Sequence, residues 1–445
     1  MKNTSVNMTE GNILKNIIFF AIPILIGNIF QQLYNVVDTA IIGNILGDDA
    51  LAAVGASAPV YGLMIGFASG LTNGFAVIIA RYFGAQDERQ MKKSVAFTYI
   101  LAAVIAFFIT VGSLVFLHPL MIMLKTPSGI IGDTESYMKV IMSFSVITIG
   151  YNMLAAMMRA IGNSRVPLYF LIISTVVNIF LDFLFVKGFH MGIPGAAFAT
   201  VISQTVSVIL CFIYIIKKCN FLLFRKNELE WDRSLLSLIV TTGLSMGLMN
   251  AIVSIGSVIL QSAVNSFGTT TITAHTAARK IDDIFMLPLG TIALSSSTFA
   301  SQNFGANKMD RVKKGIVYSV FVAMVWSGIS LFIILFFRTQ LILLLTGTKD
   351  VDVISISSRY IIWNIPFFFV LSILLVLRSS LQGVGRRIVP ICGSIVEFAL
   401  KILAVIFVAP KLGYFGICIL EPVIWIICAI IVAIDFMYFR ASIHS

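Results

Sequence analysis

Charge is the scarcest property of this sequence. Only 11% of its 445 residues are Asp, Glu, Lys or Arg, too few to give a soluble domain a water-facing surface. Cysteine is scarce as well. Cys211, Cys219, Cys392, Cys418 and Cys428 form no CxxC pair, which argues against the common redox and zinc motifs and leaves them as small lipid- or core-facing hydrophobes. The four histidines are scattered without metal-ligand spacing. No P-loop and no nucleophile–base pair is visible, so an enzyme and an ATP-driven machine are both excluded on this chain's own residues. The first apolar run, from about Ile13 to Ile42, ends in no small-residue cleavage pattern and is too long for a signal-peptide core. It reads as a retained membrane helix.

What is abundant is apolar sequence. Hydrophobic residues make up 58% of the chain and mean hydropathy is +0.98. Runs near the length of about 20 residues needed to cross the hydrocarbon recur throughout. They predict an all-α polytopic membrane protein with twelve spans, from Ile17–Ile42 to Ile417–Phe436. The eighth, Ile284–Phe299, is the weakest because Ser295, Ser296, Ser297 and Thr298 lie inside it. Net charge is +11, and topology explains it better than nucleic acid does. One set of loops and tails holds 21 of the 31 Lys and Arg residues, Arg378 among them; the other holds nine, Arg279 among them; Lys401 falls within a span. The richer side is expected to be cytoplasmic, which places both termini in the cytoplasm.

The longest polar stretch between spans, Lys217–Ser234, divides the chain. The expected organisation is an N-lobe over residues 1–220, a cytoplasmic linker over 221–234 and a C-lobe over 235–445. The lobes repeat. Ala80-Arg-Tyr-Phe-Gly-Ala-Gln86 resembles Ser301-Gln-Asn-Phe-Gly-Ala-Asn307, and each is followed by a Lys pair, Lys92-Lys93 and Lys313-Lys314, at an offset of 221. Gly162 with Pro167 recurs as Gly385 with Pro390. Six helices per copy give parallel repeats, an arrangement that places a substrate cavity between the halves.

An ionisable group at membrane depth is costly and therefore a functional candidate. Asp38 shares a helix face with Gln31 and Tyr34. Asp182 shares one with Asn178. Thr200 lies about as far after the Lys187–Gly192 turn as Asp182 lies before it, so at about 1.5 Å per residue the two reach similar depth. Asp38, Asn178, Asp182 and Thr200 thus form a candidate oxygen cage for a proton or a hard cation such as Na⁺. Gln31, Tyr34 and Asn152, with the many Met and Phe residues, are the candidate substrate-cavity lining. In the second half the repeat replaces Asn178 by Lys401 and Thr200 by Glu421. Lys401 is expected to be a tethered cation that pairs with Glu421 and, four residues away on its own face, with Glu397.

Asn35-Val-Val-Asp-Thr-Ala-Ile-Ile-Gly43, Tyr82-Phe-Gly-Ala85, Asn178-Ile-Phe-Leu-Asp182, Gly192-Ile-Pro-Gly-Ala-Ala197 and Gln302-Asn-Phe-Gly-Ala306 resemble the signatures of multidrug and toxic compound extrusion (MATE) transporters. The likeness covers nearly the whole chain, and Arg279-Lys-Ile-Asp-Asp283 resembles a segment of the Gram-positive-type branch. It implies two six-helix bundles and export of cationic or amphipathic drugs by alternating access, coupled to Na⁺ or H⁺ entry. It further implies a monomer with no cofactor beyond the coupling ion and no nucleic-acid partner. The family's N-lobe cation site falls on Asp38, Asn178, Asp182 and Thr200. The acidic residues that another branch carries on helices seven and ten are missing from Leu235–Leu260 and Tyr360–Leu377. The runner-up is a flippase for a lipid-linked precursor. Such a cargo would call for a cavity lined by Arg and Lys.

Overall fold

The computed structural model describes residues 7–124, 126–224, 230–347 and 350–442. Part of the expected linker, 225–229, lies outside the described residues. Among the described residues there is no strand. Helices α1 (Ile13–Leu46), α2 (Asp48–Gly84), α3 (Glu88–Met123), α4 (Ile131–Ser143), α5 (Ser145–Ala160), α6 (Arg165–Asp182) and α7 (Gly192–Lys218) precede the polar stretch. After it come α8 (Arg233–Val264), α9 (Thr269–Gly305), α10 (Met309–Thr346), α11 (Val351–Asn364), α12 (Phe368–Gly383), α13 (Ile388–Leu403), α14 (Ala409–Leu412) and α15 (Tyr414–Ser442). Among the described residues eleven helical stretches are long and apolar enough to span a membrane, and α4 with α5, bent by 50°, makes a twelfth if the pair is one span. The weak eighth span is a helix of 37 residues starting at Thr269 rather than near Ile284.

The chain forms two compact units: residues 1–7 with Ile22–Gly247, and Met8–Ala21 with Leu248–Ser445. The sequence placed the division at the polar linker. The packing instead divides α1 and α8 between the units, because a long helix can serve different neighbours along its length.

The internal repeat extends to the backbone. Left-handed residues recur in register: Gly47 with Gly268, Gln86 with Asn307, Gly192 with Gly413, and Gly162 with Gly385. Gln86 (φ 56°) and Asn307 (φ 57°) are not glycines, yet both turns keep a conformation that costs a side chain energy. A π-helical turn follows α6 at Phe183–Gly188, and another follows α13 at Ala404–Val408. Burial recurs as well. In α2 and in α9, 67% of the most apolar stretch is buried, against 17% in α3 and 22% in α10. Each unit therefore has one central helix and one lipid-facing helix at matched positions. Phe107, Phe108, Phe116, Phe332 and Phe336 stand exposed on those outer helices, as a hydrocarbon surround requires.

In the first unit, α2 meets the first half of α8 through glycines spaced four apart. A Cβ on Gly70 would lie 2.5 Å from the carbonyl oxygen of Met246, and one on Gly74 would lie 2.6 Å from Cα of Gly243. Small residues at this spacing let helix backbones approach closely. Gly70→Ala is expected to destabilise the protein by about 1–3 kcal/mol, because backbone cannot move aside as a side chain can. Gly62→Ala is the control on the same helix, since its Cβ would meet nothing within 4 Å. Equal thermal unfolding midpoints for the two variants would contradict this account.

Beyond the helices, Glu230 accepts from Lys93 Nζ (2.6 Å) and Arg89 Nη2 (2.7 Å). These two cations, Lys93 first, hold its carboxyl below the usual carboxylate range. The link is therefore complete at neutral pH and is lost only as pH falls below that range.

Candidate functional site

In the first unit the polar centre is built from α1, α6 and α7. Along α1, exposure falls from Gln31 (exposed) through Tyr34 (half-buried) to Asp38 (buried). Asp182 ends α6, and Asn178 sits one turn earlier; both have no exposed surface. The π-helical turn that follows Asp182 interrupts regular helix pairing beside the carboxyl, a common feature of functional sites. Thr200 on α7 meets the Tyr34 hydroxyl at 3.0 Å.

Asp38 and Asp182 are close electrostatic neighbours. No protein donor serves them: Oδ1 of Asp38, both Asp182 oxygens and both amide atoms of Asn178 are buried without a hydrogen-bond partner. Ionised carboxylates only accept hydrogen bonds. A contact between two of them therefore needs a proton or a cation in between. Asn178 adds an unused carbonyl oxygen one turn away.

Three further residues complete this centre and were not found from sequence. Tyr137 on α4 and Tyr61 on α2 are electrostatic neighbours of Asp38, and Tyr137 also of Asp182. Gln204 on α7 is a neighbour of Tyr61 and accepts from Thr148 Oγ1 at 2.6 Å. The fourth span was expected to start near Val140, which left Tyr137 in a loop. Asn152 takes no part in these bonds. It is half-buried and its Nδ2 donates to the Thr148 carbonyl at 3.0 Å.

In the second unit one of the two expected partners of Lys401 is found, Glu397, and the other, Glu421, is not. Lys401 Nζ donates to Glu397 Oε1 at 3.0 Å, and Arg378 Nη1 lies 3.6 Å from Glu397 Oε2. Glu421 is bonded by Arg279 Nη1 at 2.5 Å, not by Lys401. Two causes explain the correction. The aliphatic stem of Lys401 runs past Gly256, where a Cβ would lie 2.9 Å from its Cδ; only glycine leaves that room. And because α9 begins at Thr269, Arg279 sits within a helix instead of an outer loop. Arg378, assigned from sequence to a cytoplasmic loop, is buried within α12. Tyr360 Oη reaches Glu421 Oε2 at 3.4 Å, and the His275 ring meets Tyr360 edge-on at 4.9 Å.

Among the described residues, no group of three or more His, Cys, Asp or Glu side chains could hold a metal ion. The first unit's centre instead offers two carboxyls, a carboxamide oxygen and hydroxyls, which suits a proton or a monovalent hard cation.

The MatE family model matches residues 23–184 and 245–407, one match in each half. The probable multidrug resistance protein YpnP of Bacillus subtilis is 28% identical over 88% of this chain and 87% of its own. The multidrug export protein MepA of Staphylococcus aureus is 22% identical over 94% of this chain and 90% of its own. Among solved structures, a MOP superfamily transporter from Pyrococcus furiosus superposes with a TM-score of 0.90 at 22% identity, covering 100% of this chain and 99% of that one. An outward-facing multidrug resistance MATE family transporter gives 0.89 at 22% identity, with the same coverage.

Proposed function

The chain belongs to the MatE family, and from that premise we propose that it exports cationic and amphipathic drugs across the bacterial cytoplasmic membrane, by alternating access, in exchange for entering H⁺ or Na⁺. It is a multi-pass transporter rather than an enzyme. The proposed exporter is a monomer with both termini inside the cell. Its coupling site is Asp38 with Asp182, assisted by Asn178 and Thr200. Gln31 and Tyr34, leading along α1 to Asp38, are the side chains that drug meets.

One observation carries the coupling assignment: two neighbouring buried carboxyls, of which Asp38 Oδ1 and both Asp182 oxygens have no hydrogen-bond partner. Such a pair is costly unless a cation or proton occupies it. A cationic drug and an inbound ion can satisfy it in turn, which is the requirement for exchange. Arg279, Arg378 and Lys401 in the second unit each have a carboxylate partner. None of these three is left over for a lipid pyrophosphate, so a flippase is the weaker reading.

The test is ethidium transport in proteoliposomes under an imposed pH or Na⁺ gradient. Uphill movement driven by one of the two gradients is expected. Transport driven by neither would overturn the proposal, and translocation of a lipid-linked pyrophosphate instead would favour the flippase.

A further inference from the structure

Asp282 on α9 is fully buried, and neither of its carboxyl oxygens has a hydrogen-bond partner. It has no place in the coupling site proposed above. Its electrostatic neighbours are Arg279 and Asp283 on its own helix, Glu421 and Tyr414 on α15, and Tyr360 on α11. His275 on α9 and Lys401 on α13 face Glu421 from further round. On the α10 and α12 sides, which also pack on α9, none of the described residues presents a titratable side chain as a neighbour of Asp282.

The repeat gives this cluster its meaning. At an offset of 221, Asp282 corresponds to Tyr61 and Glu421 to Thr200. At an offset of 223, Tyr360 corresponds to Tyr137. Tyr61, Thr200 and Tyr137 surround the carboxyl pair of the first unit. The second unit thus keeps a polar centre at the matched place but builds it from different elements. Ile259 and Val405 stand where Asp38 and Asp182 would be, and α9 and α15 supply the two carboxyls instead.

We propose that Asp282 and Glu421 form a second proton-exchanging pair, in which the Arg279 guanidinium serves one carboxyl and a proton serves the other. Hydrogen bonding leads to this arrangement: Arg279 donates to Glu421, whereas neither carboxyl oxygen of buried Asp282 has a donor, and a buried carboxyl without a partner is satisfied by a proton. In the structure Arg279 is on Glu421 at 2.5 Å, the arrangement in which the proposal puts the proton on Asp282. Arg279 precedes Asp282 by three residues on one helix face, so a change of its side-chain rotamer brings the guanidinium to Asp282. The proton then leaves Asp282, and one is taken up at Glu421. Asp283, largely exposed, lies 3.7 Å from Arg279.

Infrared spectroscopy of the purified full-length protein in detergent tests the pair without any transport assay. Failure of the proposed coupling site, seen as normal export by Asp38→Asn, would leave this test intact. The wild type should show the C=O stretch of a protonated acid that disappears in Asp282→Asn, persists in Asp38→Asn and shifts in D₂O. Glu421→Gln should also remove it, although it deletes a different carboxyl, because Arg279 is then free to pair with Asp282. Should Asp282→Asn fail to fold, Glu421→Gln carries the test by itself. Identical wild-type and Asp282→Asn spectra, a band unmoved by D₂O, or a band unchanged in Glu421→Gln would each overturn the proposal.

Discussion

Asp38→Asn and Asp182→Asn should each abolish uphill export of ethidium while leaving the protein folded. The reason lies in hydrogen-bond inventory. The native pair has acceptors and no donor, so whatever fills the gap must come from outside and can leave again. A carboxamide at position 38 brings its own N–H donors. It would bond the Asp182 carboxylate permanently and put a fixed group where the exchangeable ion belongs. The same bond relieves a buried, unpaired charge, so the thermal midpoint in detergent should hold or rise. Ethidium binding should change by less than about tenfold, under ~1.4 kcal/mol, if Gln31, Tyr34 and the surrounding apolar surface supply most of the contact. The diagnostic result is therefore a split: binding and folding kept, gradient-driven movement lost. A variant that exports at the wild-type rate against a gradient would remove Asp38 from the mechanism. Loss of folding would instead assign the pair a structural role.

The sequence reading singled out Asp38, Asn178, Asp182 and Thr200 by counting residues from the outer turns, and depth could be counted there because the connection between α6 and α7 is short, despite its π-helical turn. Apolar length alone located the helices: lipid-facing surfaces such as those of α3 and α10 must be apolar throughout. Central helices obey a different rule. α9 is surrounded by protein, so it can carry Ser295, Ser296, Ser297 and Thr298, with Ser296 bonded to Ser380 at 2.7 Å. To a hydropathy window such a helix looks weak, and its first turns, with His275, Arg279 and Asp282, look like a loop. That misplacement concealed the partner of Glu421. Tyr61 and Tyr137 were missed because a lone aromatic hydroxyl in an apolar run gives no periodic signal. Only the repeat, extended from the glycine turns to side chains, could have pointed to them.

Glu397→Gln should be the most destabilising single change in the second unit, costing about 3–5 kcal/mol, with Lys401→Met costing less, about 1–3 kcal/mol. The asymmetry follows from the geometry. Glu397 serves two buried cations, Lys401 at 3.0 Å and Arg378 at 3.6 Å. Removing its charge strands both, whereas removing Lys401 leaves Glu397 with Arg378. Lys401 has no aqueous escape, since its side chain is 4% exposed and its stem is held in the space that Gly256 leaves open. The Lys401→Met and Glu397→Gln double variant should lose less than the sum of the singles, because groups in direct contact couple by about 0.5–3 kcal/mol. Pairing Lys401→Met with Glu421→Gln should come closer to additive, since Glu421 is bonded by Arg279. Thermal midpoints in detergent across both cycles decide between these pairings. Strong coupling of Lys401 to Glu421 would mean that this ion pair in the membrane is arranged as the sequence first suggested. A Lys401→Met variant as stable as the wild type would mean that its ammonium reaches water instead.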